Sequence, residues 1–140
     1  MREILFRGKR TDNCEWLYGY YFFENINLYA NFNGCHYVHP CGQNQALSVI
    51  PETVGQYTGL TDKNGKKIFE GDIVEGHCHS QWRHRLQRCV VVYDRDSFKS
   101  RHYLIFPNEK HYFEYKVLFS KDVVVIGNIH DNPDLLKGGD

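Results

Sequence analysis

The segment GCHYVHPCG places Cys35, His36, His39 and Cys41 within seven residues. Thiolates and imidazoles are good zinc ligands, and a structural zinc wants four of them. Zinc ribbons and fingers draw their ligands as pairs from two separated stretches, so the chain wraps the ion from two sides. Here all four would come from one short loop, and His77, Cys78 and His79 are what a second segment could add. The competing reading is a loop and hairpin whose polar side chains face water. That is the expectation: no metal and no cofactor.

A second group is basic. Between His77 and Arg101 stand Arg83, Arg85, Arg88, Arg95, Lys99 and Arg101 against Asp94 and Asp96, with Trp82 among them. Guanidinium groups beside an exposed ring can hold phosphate and stack a base. Trp82, Arg83, Arg85 and Arg88 are therefore the candidate nucleic-acid or partner surface. The plainer alternative is a solvated loop whose cations pair with neighbouring acids or with another subunit.

Hydrolytic chemistry needs a nucleophile, a base and a group that orients the base. Ser48, Ser80, Ser97, Ser100 and Ser120 sit in no elbow motif, and His130 and Asp131 are adjacent, so on a strand they would point apart. GLTDKNGK leads into a strand rather than a helix, so it is no phosphate loop. DKNG lacks the acidic spacing of a calcium loop. No catalytic residue and no small-molecule substrate is identified, and the chain is expected not to be an enzyme.

The elements that must carry these residues read as β. Of 140 residues, 41% are apolar and 15% aromatic, mostly Tyr and Phe, which pack well on pleated surfaces. Strand-like runs recur about every 8–12 residues between turn signals. They are EILFRG, EWLYGYYFFE, ALSVI, QYTGL, KKIFEGDIVE, RCVVVYD, HYLIFP, YFEYKVLF and DVVVIGNIH. TDN makes the first turn. Asn64-Gly65 supplies the pair that a type I′ hairpin needs. Gly71 kinks the chain before Asp72, and Asn132 can cap a helical turn begun by Pro133. The expected fold is mostly β: a loop-rich N-terminal β lobe over 1–50, then an SH3-like small β-barrel over 51–140 with a short C-terminal helical turn.

Lys plus Arg equals Asp plus Glu, at 17 each, so no global charge draws the chain to nucleic acid or to an anionic membrane. The opening MREILFRGKR is not a secretory signal. No apolar run approaches the roughly 20 residues that span a bilayer. Five irregularly spaced cysteines make a poor disulfide framework. A soluble, cytoplasmic protein with no membrane partner is expected.

The strand EWLYGYYFFE is apolar on both sides. Alternation puts Trp16, Tyr18, Tyr20 and Phe22 on one face and Leu17, Tyr21 and Phe23 on the other. One face can pack inward. The other needs cover, from the loop-rich segment or a second copy, because large exposed apolar patches are unusual on monomers. Trp16, Tyr18, Tyr21 and Phe23 are the candidate self-association residues.

VIPETVGQYTGLTDKNGKKIFEGDIVE together with VIGNIHDNPDLL resembles the YopX family of phage and prophage proteins, and REILFRGKRTDNCEWLYGYYF is similar to that family's N-terminal segment. One departure is visible: Asn13-Cys14 stands where Asn-Gly is expected at the first turn, and Cys fits positive φ less well than Gly. The resemblance implies a mostly β protein with an SH3-like C-terminal half that self-associates into a homo-oligomer, with no established enzyme activity. The expectation is a non-enzymatic phage accessory protein acting as a homo-oligomeric interaction module; the alternative is a nucleic-acid-binding accessory protein using the Trp/Arg loop.

Overall fold

The computed structural model describes residues 3–24, 35–77, 86–93, 98–106, 109–116 and 123–136. These form eleven strands: β1 (Phe6–Lys9), β2 (Trp16–Glu24), β3 (Cys35–Pro40), β4 (Leu47–Ser48), β5 (Gly55–Thr61), β6 (Lys67–Phe69), β7 (Asp72–His77), β8 (Leu86–Tyr93), β9 (Phe98–Phe106), β10 (Glu109–Lys116) and β11 (Val124–Asn128). Two 3-10 turns, Pro51–Thr53 and Pro133–Leu136, complete them, and no α-helix occurs among the described residues. The chain divides into two compact units, Met1–Tyr57 and Thr58–Asp140. The division falls inside β5.

In the first unit every pairing is antiparallel, in the order β4-β3-β2-β1 and then the start of β5. The β1–β2 turn is closed by Arg10 N–H to the Glu15 carbonyl at 2.9 Å and Cys14 N–H to the Arg10 carbonyl at 3.1 Å. Cys14 takes the positive φ, 60°, that the missing glycine would have supplied. Asn13 steadies the turn by accepting from the Glu15 N–H. Gly19, in the middle of β2, is buried opposite Pro40. A Cβ there would collide with the His39 backbone carbonyl, so the glycine marks a close approach of two backbones. The packed side of this unit is built on Val38 and Val49, both almost fully buried. Thr53 ties the 3-10 turn to β1: its hydroxyl donates to the Ile50 carbonyl and accepts from the Lys9 N–H.

The second unit takes the end of β5, then β6, then a sheet in the order β10-β9-β8-β7-β11. Its core is Ile68, Val74, Cys89 and Val91, with Leu60, Val123 and Val125 packed against it. The mostly β expectation holds, but where an SH3-like small β-barrel was expected the described residues show an open sheet. All five strands pair antiparallel in an open order, and β10 and β11 end it as edges, so among the described residues the sheet does not close.

The hairpin between β5 and β6 also differs from expectation. Gly65 sits at φ 84°, but Asn64 has no positive φ, so the turn is not type I′. Asp62 organises it instead. Its carbonyl accepts from the Gly65 N–H, one carboxylate oxygen accepts from Asn64 and Lys66 N–H, and the other accepts from Val125 N–H at 3.0 Å. A four-residue turn, Asp62 to Gly65, whose last residue is a left-handed glycine is the pattern of a bulged hairpin loop. Gly71, at φ 88°, makes the expected kink; its N–H bonds the Val91 carbonyl and its own carbonyl takes the Ile129 N–H. After β11, Asn128 collects the His130 and Asp131 N–H groups on its side-chain oxygen. Asn132 precedes the second 3-10 turn, its carbonyl accepting from the Leu135 N–H, and its side-chain oxygen accepts from the Asn128 N–H.

Candidate functional site

The pairing register converts alternation along β2 into a surface. Arg7 lies opposite Tyr18, Lys9 opposite Trp16, Tyr20 opposite His39, Phe22 opposite Tyr37 and Glu24 opposite Cys35. Directly opposed residues share a face, so one side of the sheet carries Trp16, Tyr18, Tyr20, Phe22, Tyr37 and His39. Val38 occupies the other side, with Phe6 and Tyr21. Burial then separates the two sides. Tyr18 is 45% exposed, Tyr20 62% and Phe22 41%. Successive rings stand about 7 Å apart along the strand, and Phe22 stacks on Tyr37 with centroids 5.2 Å apart.

Two features stiffen this face. At one end the Arg7 guanidinium lies 4.6 Å from the Trp16 ring centre and the Lys9 ammonium 5.5 Å, so cation–π contacts hold the indole down. At the other end, a hydrogen bond with Cys35 pushes the Tyr37 phenol above its ordinary pKa; burial and the neighbouring Cys35 and Glu24 charges act the same way. The Tyr37 phenol therefore keeps its proton at neutral pH.

The four residues singled out for self-association are not one patch. Trp16 and Tyr18 are on the open face, with Trp16 half-buried under its cations. Tyr21 is on the packed side, its ring 5.6 Å from Phe6 and its hydroxyl 2.5 Å from His36 Nδ1. Phe23, 48% exposed, shares that side and lies 4.8 Å from the His36 ring. Tyr20 and Phe22 belong to the open patch although they were not singled out. The same period-2 alternation holds them, but which face is open depends on Val38 and Val49, distant in sequence.

The Cys/His group is dispersed by the same alternation. His36 faces the packed side with Tyr21, whereas Cys35 and His39 face the other, and Cys41 follows the end of β3. His39 Nε2 is 2.6 Å from the Gln43 carbonyl. Among the described residues no three His, Cys, Asp or Glu side chains gather as metal ligands would. Of the basic group, Trp82, Arg83 and Arg85 lie outside the described residues. Arg88 is engaged within its unit: Nε meets Glu75 at 3.2 Å and Nη1 donates to the Leu135 carbonyl at 2.7 Å.

These observations define a mostly β, two-unit protein with antiparallel sheets and an open aromatic face. The family described as YopX protein matches residues 5–137, nearly the whole chain, and the chain belongs to that family. No curated protein matches it. A solved structure, protein EF1440 from Enterococcus faecalis, is similar at 24% identity over 98% of this chain and 100% of that one, with a TM-score of 0.54. That likeness speaks to the fold alone. No helix among the described residues is long and apolar enough to cross a membrane, which says nothing about spanning by strands.

Proposed function

We propose that this protein is a non-enzymatic phage or prophage accessory protein, acting in the host cytoplasm as a homo-oligomeric interaction module. The observation that carries the reading is the run Tyr18, Tyr20, Phe22: three alternate rings of one strand, each 41–62% exposed on one face. Interfaces are enriched in Tyr, Phe, Trp and Arg, and every copy presents the same surface. Burying one such ring contributes roughly 1.5–3 kcal/mol, so a few rings per contact can outweigh the cost of association.

Light scattering after size exclusion tests it. The expected mass at micromolar concentration is several times the 16.5 kDa chain. Tyr20→Glu should shift that mass toward one chain while the β signal in circular dichroism persists, because this ring is not part of the packed side. Tyr21→Glu should unfold the first unit instead. An unmutated protein that runs as a monomer throughout that range would end the proposal.

A further inference from the structure

A second surface is set by the backbone. β10 pairs with β9 over all eight of its residues, from Glu109 opposite Phe106 to Lys116 opposite Lys99, and it ends the sheet order. Among the described residues, the backbone groups along its other side have no strand beside them. Such an edge is a template for a further strand.

Symmetry restricts how a second copy could occupy it. Cross-strand partners share a face of a sheet, whereas neighbours along one strand do not. A two-fold axis relating two antiparallel edges must therefore pass between one residue and its own copy. The strand reads EKHYFEYK. Centred on Tyr112, it sets Lys110 of each copy opposite Glu114 of the other, twice by symmetry. Moved one residue on, to Phe113, it sets Lys110 opposite Lys116. Moved one back, to His111, it leaves Glu114 and Lys116 beyond the end of the facing strand. Opposite charges across a ladder stabilise and like charges destabilise, so a single register is favoured.

We propose that β10 is a self-recognition edge: two copies add their β10 strands to one another, antiparallel, about a two-fold axis at Tyr112. The occupant is a second copy because the charge pattern complements itself. This rests on the reading of the chain as self-associating, but at a different surface. An isologous edge together with a separate aromatic contact builds assemblies larger than a dimer.

Charge exchange tests the register. Lys110→Glu and Glu114→Lys should each weaken self-association about tenfold, and the double variant should restore it. Arg101 of the same chain lies opposite Glu114 across the β9–β10 pairing. If Glu114 served only Arg101, the double variant would stay as weak as Glu114→Lys, and the proposal would be overturned. A second measurement reads geometry. Opposed residues of an antiparallel ladder lie about 4.5–5.5 Å apart, within reach of a disulfide. On mild oxidation Tyr112→Cys should give a 112–112 linked peptide by mass spectrometry, and Glu109→Cys should give no 109–109 link, since those positions lie at opposite ends of the ladder. Equal linking at both, or none at 112, would refute the register. Should Tyr20→Glu dissociate the protein while the β10 variants leave its affinity unchanged, the edge fails and the aromatic face stands. The reverse result fails the aromatic face and keeps the edge.

Discussion

The residue that does most for the hairpin is Asp62, which is almost fully buried. Burial pushes its carboxyl up. The N–H groups of Val125, Lys66 and Asn64, with the Lys66 charge, more than reverse this and hold it below the usual carboxylate range. The sign of its pH dependence follows. The unfolded carboxyl, near 3.9 by its ordinary value, binds its proton more readily than the folded one. Its contribution is complete above that value and is lost as pH falls through the lower, folded pKa. Asp62→Asn puts an NH2 group where one carboxylate oxygen accepts, and should cost about 2 kcal/mol at neutral pH. The gap between variant and parent in urea melts should shrink below about pH 4; a gap that grows with acidification would contradict the assignment. Asp62 was legible in the sequence only as part of a turn. Its bond to Val125 spans most of the second unit in sequence, so no local pattern could reveal that donor.

At the scale of elements, most strand positions were readable because alternation and turn residues are local; β3 was not, because its Asn- and Gly-rich flanks read as loop. Closure was not. Whether five strands curl into a barrel depends on which edges meet, and nothing within β10 or β11 alone encodes that. Glycines mark where elements approach, and two of them make a contrast. At Gly8 an added Cβ would come 3.1 Å from the Val49 Cβ, a tight contact short of overlap. At Gly19 it would strike the His39 carbonyl, which is backbone held in the β2–β3 ladder. Gly8→Ala should therefore be mild, about 1 kcal/mol, and Gly19→Ala should cost about 3 kcal/mol or more, because the ladder itself must open. Chemical denaturation of both variants checks the order. Equal costs would mean that the two strands are not held at the separation described.

For the whole molecule, the strand β2 poses the question that function answers. The sequence shows two apolar faces; packing on Val38 and Val49 covers one except at Phe23, near the strand's end, and Tyr18, Tyr20 and Phe22 remain exposed on the other. If copies of the chain cover that face, association and folding are linked. Binding of the folded chain to its own copies then stabilises it by mass action, and the melting temperature rises with protein concentration. A chain that keeps the face open has no such dependence. Scanning calorimetry over a hundredfold range of concentration should show the midpoint climbing for the unmutated protein. For Tyr20→Glu the climb should flatten, because the charged side chain is tolerated in water and resisted at a contact between rings. A midpoint independent of concentration in the unmutated protein, with light scattering giving a single chain, would mean that the open rings serve something other than self-assembly.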